Sequence, residues 1–134
     1  MAFSRLRAHS GLACAQADLD HVEQIVTASG TSFSKGMRIL PAKRRQAMFA
    51  IYAFCREVDD IADGDTVVED PAAALEDWHS RVDRIFTGEA RDALDRVLIA
   101  AINAFALKTA AFHAVIDGME IGRAARRERV EISV

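Results

Sequence analysis

The residues best suited to chemistry stand close together in the run Ile51-Tyr-Ala-Phe-Cys-Arg-Glu-Val-Asp-Asp-Ile-Ala-Asp63. If this run is helical, each residue turns by about 100°, so with Tyr52 at zero Arg56 falls near about +40°, Asp59 near about −20° and Asp63 near about +20°. Arg45 returns to about +20° two turns earlier, and Asp60 lies on the rim at about +80°. One face therefore presents a cation, a phenol, a second cation and two carboxylates in file. Such a face is costly to bury, because an unpaired ionised carboxylate in a dry interior costs several kcal/mol even after relaxation. Glu57, Asp59, Asp60 and Asp63 also crowd the carboxyl end of the helix, where the macrodipole disfavours each negative charge by about 0.3–1 kcal/mol. Arg56 compensates part of this through its i,i+3 and i,i+4 neighbours. A divalent metal would compensate more: Asp59 and Asp63 are one turn apart and can converge on a hard cation, and Mg²⁺ favours one or two carboxylates, several waters and phosphate oxygens. A solvated, salt-bridged helix face is the competing reading of the same residues.

These residues need a helix without interruption, and the chain supplies one. No Gly or Pro occurs between Ala42 and Asp63, Pro41 stands where helices begin, and Gly64 is suited to a left-handed cap. Asp18 to Ala28 carries Leu19, Val22, Ile25 and Val26 on one stripe, and Ser29-Gly-Thr-Ser32 breaks it with turn-favouring residues. Phe33 to Leu40 is too short to assign. Asp70-Pro71 caps and starts a helix striped by Leu75, Trp78, Val82, Ile85 and Phe86, which Gly88 stops. Residues 91 to 106 repeat the pattern with Leu94, Val97, Leu98, Ala101, Ile102 and Phe105. Thr109 opens another helix, striped by Phe112, Val115, Ile116 and Met119. No period-2 segment competes, so the expected fold class is all-α.

The bulk numbers agree. A chain of 134 residues, 51% hydrophobic and 28% charged, is globular and at most one ordinary domain. A net charge of −3 gives no reason to expect nucleic-acid binding. Cys14 and Cys55 lie far apart with no CxxC partner, which fits a reduced chain. No apolar run approaches the roughly 18 residues of a membrane span. The expected location is cytoplasmic, with peripheral contact at a membrane face compatible with it.

The run Ser29-Gly-Thr-Ser-Phe-Ser-Lys-Gly-Met-Arg-Ile-Leu-Pro41, followed by Arg44-Arg45-Gln-Ala-Met-Phe-Ala-Ile-Tyr-Ala-Phe-Cys-Arg-Glu-Val-Asp-Asp-Ile-Ala-Asp63, closely resembles the first aspartate-rich region of squalene/phytoene synthases. Within that family it is most similar to the bacterial members that make presqualene diphosphate for hopanoid biosynthesis. Phe112-His-Ala-Val-Ile-Asp-Gly-Met-Glu120 resembles a later helix of the same group. The resemblance implies an all-α terpenoid-synthase fold and Mg²⁺ bridging carboxylates to a prenyl diphosphate. It also implies head-to-head condensation of two farnesyl diphosphates: diphosphate departs from one, the double bond of the second attacks the allylic cation, and proton loss closes a cyclopropane. Phytoene synthase, with a longer substrate, is the neighbouring alternative. By the same resemblance Asp59 and Asp63 are metal ligands with Asp60 supporting. Arg56 and Tyr52 hold diphosphate oxygens, Arg45 joins the substrate set, Ser32 donates a hydroxyl, and Phe33 lines the cavity. Phe54 is assigned to core packing, His79 to an exposed position, and His113 to a satisfied structural one.

The resemblance divides the chain into a flexible segment 1–17, a family-like part 18–120 and an atypical basic tail 121–134, read as solvated or disordered. Family members carry a second aspartate-rich motif, and nothing after Glu120 resembles it. The expectation is a truncated domain of little or no turnover, with uncovered apolar stripes that favour self-association. A non-catalytic helical interaction module derived from the same family is the second reading.

Overall fold

A computed structural model describes residues 11–133. Six helices follow one another: α1 Gln16–Ser29, α2 Thr31–Met37, α3 Ala42–Asp63, α4 Pro71–Phe86, α5 Ala93–Phe105 and α6 Thr109–Ser133, with no strand among the described residues. Helix α3 is the hub and packs against each of the other five. Its buried stripe, Ala47, Ala50, Ala53, Phe54, Val58, Ile61 and Ala62, is rich in alanine, which lets neighbouring backbones approach closely. Phe54, buried on α3 like Phe49, meets Trp78 of α4 and Phe112 of α6 at centroid distances of 5.4 and 5.1 Å. The predicted stripes of α1, α4 and α5 supply the rest of the core, through Val22 and Val26, Leu75 and Val82, and Leu94, Val97 and Leu98.

The helix boundaries follow from local chemistry. Asp70 Oδ1 accepts from the Ala73 N–H at 3.2 Å and Pro71 occupies the first helical turn of α4. Asp92 Oδ1 accepts from the Asp95 N–H at 3.2 Å to cap α5. Gly64, at φ 83°, ends α3 in the left-handed conformation that glycine adopts without a Cβ clash.

The break expected at Ser29 to Ser32 is present and narrows to Gly30: Ser29, its hydroxyl donating to the Ile25 carbonyl at 2.9 Å, ends α1, and α2 begins at Thr31. Two expectations need correction. The segment 1–17 is not uniformly loose. Residues 1–10 lie outside the described residues, but Leu12 is fully buried and its N–H donates to Gln46 Oε1 at 2.8 Å. Gly11 passes so close to the Gln46 side chain that a Cβ there would clash. The basic tail continues α6 as helix instead of fraying, with Arg123 bonded to Glu120 and Arg126 to Asp63.

One buried and one half-exposed ion pair tie the helices. Arg81 of α4 sits under the surface with its Nε 2.9 and 3.1 Å from the Asp95 carboxylate of α5, its Nη2 3.0 Å from Asp92, and its guanidinium 4.2 Å from the Trp78 ring centroid. Arg96 of α5 grips Asp18 of α1 through two bonds of 2.7 and 2.9 Å. No helix among the described residues is long and apolar enough to cross a membrane.

Candidate active site on the acid-bearing face of helix α3

The continuous helix places Tyr52, Arg56, Asp59, Asp60 and Asp63 on consecutive turns, as their spacing requires. Asp59 and Asp63 stand one turn apart on this face, close enough for the Asp63 side chain and charge to act on the Asp59 carboxyl. Desolvation first, and then the Asp63 charge, push the Asp59 carboxyl above its ordinary range. Two carboxylates held this way want a proton or a metal ion between them. Arg56 Nε lies 3.2 Å from Asp60 Oδ1. That contact is an ion pair without hydrogen-bond alignment, and the same Oδ1 is buried and accepts no hydrogen bond. The acid cluster thus retains acceptor capacity that the protein does not fill, which suits a hard cation. Nowhere among the described residues do three His, Cys, Asp or Glu side chains already converge as a metal cage.

Helix α6 closes on this cluster. Arg126 Nη2 lies 2.6 Å from Asp63 Oδ1, and it also reaches the Ala62 carbonyl at 3.4 Å. The guanidinium supplies positive charge at the carboxyl end of α3, which has no basic residue in its own last turn. The sequence pattern of α3 gave no sign of this partner, because the pairing spans 63 positions and depends on how α6 packs.

Tyr52 stacks on Phe33, with centroids 4.5 Å apart and planes inclined by 22°, and Phe33 also approaches Phe49 at 6.3 Å. Helix α2 thus lies against this face, with Phe33 half-buried against Tyr52 and Ser32 exposed beside it. Arg45 is not brought to the acids. It stands 18 residues before Asp63, or about 27 Å along the helix axis. Its Nη1 reaches the Leu40 carbonyl at 3.4 Å, and it lines a separate cavity of about 110 Å³ with Asp20 and Glu23 of α1.

Beside the polar file runs an apolar trough. One hollow of about 150 Å³ is lined by Ile51, Phe54, Cys55, Leu107, Phe112 and Val115. A second, of about 310 Å³, continues it through the shared Ile51 and Leu107 to Leu40, Ala47, Met48 and Phe105. Cys55, at the upper end of the trough, is one turn before Asp59. Burial and then the Asp59 charge push its thiol up, so it is a poor nucleophile and serves as lining. Both cysteines carry free thiols.

Glu57, one of the acids crowding the end of α3, lies off the file, and burial raises its carboxyl while the nearby Arg81 opposes that rise. His79 is not exposed: its ring is half-buried against His113 and bonded to Asp117 of α6. A histidine after Trp78 among polar residues reads as surface until α6 is laid over it.

Comparison with known proteins places this geometry. Residues 26–127 match the squalene/phytoene synthase family. The presqualene diphosphate synthase of Sinorhizobium fredii is 45% identical over 101 residues, covering 75% of this chain and 36% of that protein. The presqualene diphosphate synthase of Rhodopseudomonas palustris is 43% identical over 94 residues, covering 70% of this chain and 33% of that protein. The crystal structure of squalene synthase HpnC from Alicyclobacillus acidocaldarius superposes with a TM-score of 0.69 at 29% identity, over 84% of this chain and 40% of that one. The chain spans about a third of the length of the curated relatives it matches. On its sequence match and its shared helical fold, the chain belongs to the squalene/phytoene synthase family.

Proposed function

We propose that this chain forms the first acidic half-site of a magnesium-dependent head-to-head prenyltransferase, the reaction being condensation of two farnesyl diphosphates to presqualene diphosphate. The observation that carries the proposal is the paired Asp59–Asp63 carboxylates standing one turn above the end of an apolar trough. A prenyl diphosphate has the matching polarity: a highly charged head and a long hydrocarbon tail. Asp59 and Asp63 would hold Mg²⁺, with Asp60 supporting through its unfilled oxygen. The metal, when bound, supplies Lewis-acid neutralisation of the departing diphosphate.

The chain's own residues have separable tasks. Arg56, one turn below Asp60 and 43% exposed, can turn its guanidinium from that carboxylate to a diphosphate oxygen. Tyr52, braced by Phe33, offers a phenolic hydrogen bond at a fixed point along the trough. Ser32, exposed on α2, would donate a hydroxyl. Ile51, Phe54, Leu107, Phe112 and Val115 exclude water from the hydrocarbon chain and from the electron-deficient carbon that diphosphate loss creates. The distance of Arg45 from the acids leaves it no shared diphosphate with Asp59, so its place in this set is at a remote part of the substrate. The relatives named presqualene diphosphate synthase favour farnesyl over the longer substrate of phytoene synthases.

The Arg126–Asp63 ion pair favours a second reading, a non-catalytic helical module in which an internal cation replaces the metal. In that reading the trough, with Met48 and Phe105 exposed along it, serves self-association or another protein.

Binding to the folded chain decides between the two. Thermal unfolding is followed with Mg²⁺, a non-hydrolysable farnesyl diphosphate analogue, or both. A magnesium-dependent rise of the midpoint that Asp59→Asn with Asp63→Asn abolishes supports the half-site, by linkage. No rise with any combination, together with concentration-dependent dimerisation in sedimentation, would replace it with the module.

A further inference from the structure

The seam between α4 and α6 holds a second cluster, chemically unlike the first and not used by it. His79 of α4 and His113 of α6 bring their Nδ1 atoms to 2.6 Å. Each far nitrogen is engaged by a carboxylate of the opposite helix: His79 Nε2 lies 2.9 Å from Asp117 Oδ1, and His113 Nε2 lies 2.8 Å from Asp83 Oδ1. The ring planes are inclined by only 14°, and the centroids are 4.8 Å apart. That separation is close to the N···N distance plus the two ring radii, so both Nδ1 atoms lie nearly on the line joining the centroids. The rings therefore meet edge to edge with nitrogens head-on, rather than lying face to face.

The hydrogens follow. An ionised carboxylate only accepts, so each Nε2 carries the hydrogen it donates. A neutral imidazole has a single N–H, which leaves both Nδ1 atoms as bare lone pairs aimed at each other. Two lone pairs at 2.6 Å repel unless an electron-pair acceptor lies between them. A carboxylate on one ring nitrogen is also the arrangement that fixes the tautomer and raises the basicity of a metal-binding histidine. The surroundings are acidic: a cleft of about 240 Å³ beside His79 is lined by Glu76, Asp117 and Glu120, with Arg123 bonded to Glu120 at its edge. The two rings are 20% and 26% exposed, so an ion from solvent can reach them.

We infer that His79 and His113 form a binding site for a borderline divalent transition metal of the zinc, nickel or copper class, held by the two Nδ1 atoms, completed by water, and tying α4 to α6. Metal–nitrogen bonds of about 2.0–2.1 Å at a tetrahedral angle require the Nδ1 atoms to part to about 3.3 Å. Small side-chain rotations of two half-exposed rings supply this. Any proton held between the two Nδ1 atoms is displaced on uptake, so binding releases it. Imidazole suits this class of metal, whereas Mg²⁺ prefers oxygen ligands and goes elsewhere.

The test titrates Zn²⁺ alone into the full chain near neutral pH, by calorimetry in two buffers of different ionisation enthalpy and by thermal unfolding. Expected are one zinc ion per chain, proton release, and a midpoint raised by several degrees. His113→Gln and His79→Gln lose the response. Asp83→Asn weakens zinc affinity by about 10–100-fold, as loss of such a brace does. Mg²⁺ does not substitute, and Asp59→Asn with Asp63→Asn leaves the zinc response intact, which separates this site from the proposed diphosphate site. With Cu²⁺ on the unsubstituted chain, electron paramagnetic resonance shows coupling to two imidazole nitrogens. No zinc uptake, uptake retained in both histidine variants, or a copper spectrum without two nitrogens overturns the inference and leaves the pair holding a proton only.

Discussion

Without a metal, Asp59 works against the fold. Its carboxylate faces that of Asp63 four residues later, partly shielded from water, and its pKa is raised by desolvation and by that neighbour. Like charges at i,i+4 on a helix cost about 0.2–0.5 kcal/mol. A negative charge near a helix carboxyl terminus adds about 0.3–1 kcal/mol, and Asp59, a turn inside the end of α3, takes the lower part of that range. Asp59→Asn keeps the shape and removes the charge, so the metal-free variant is expected to gain about 0.5–1 kcal/mol. For a chain of this size that is about 2–5 °C in midpoint. The pH dependence has a definite sign. A carboxyl whose folded pKa lies above its unfolded value costs stability above the folded pKa, and that cost disappears as pH falls through it towards the unfolded value near about 3.9. The gap between variant and wild type is therefore full at neutral pH and closes in acid. With Mg²⁺ and a farnesyl diphosphate analogue the order reverses, because only the wild type gains from binding. Thermal unfolding by circular dichroism, with and without ligands at neutral and acid pH, reads all of this. A metal-free Asp59→Asn chain no more stable than wild type, or a gap that persists in acid, would refute the electrostatic argument.

Asp95→Ala strands Arg81, which is 7% exposed, and is expected to cost about 3–5 kcal/mol, read as a lowered urea midpoint. Asp18 is held below the usual carboxylate range mainly by its hydrogen bond to Arg96. Its contribution is present above its unfolded pKa and lost as pH falls through its folded one, so Asp18→Asn should flatten the acid limb of a stability–pH curve and lower stability at neutral pH. Ala106 ends α5 in the left-handed region at φ 51°, where a Cβ is strained. Ala106→Gly is expected to stabilise by about 0.5–1 kcal/mol in chemical denaturation, and a loss would show that Ala106 is relaxed there.

Much of this architecture was legible because local rules agree with the packing. Pro41 and Gly64 delimit α3, Asp70 and Pro71 begin α4, and the predicted apolar stripes face the core apart from Phe105, which is exposed at the end of α5. The file Tyr52, Arg56, Asp59, Asp63 follows from helical period, and so does the meeting of the two carboxylates. Period also placed Arg45 on the same face, yet angle about an axis says nothing of distance along it, and the structure gives Arg45 to α1 and the Leu40 carbonyl. The groups that stayed hidden are those whose partners lie far away in sequence. Arg126 reaches Asp63, His79 meets His113, and Arg81 joins Asp95 only through the packing of α4, α5 and α6.

The carboxyl end of α3 runs against the helix dipole. By contrast, Asp70 and Asp92 cap amino termini, and Arg84 stands in the last turn of α4. In α3 four carboxylates occupy the final two turns, and no basic residue lies in the last one. A sequence selected only for stability would disperse them, since each costs a fraction of a kcal/mol and together they repel. The fold meets that cost from outside the helix, with Arg126 brought over on α6. Arg126 relieves Asp63; Asp59 keeps a raised carboxyl pKa despite the opposing charge of Arg56, and Asp60 keeps a buried oxygen without a hydrogen bond. A structural ion pair has no use for the acceptors left over. A cation shared between protein and diphosphate would, and the proposed half-site gives those acceptors that use.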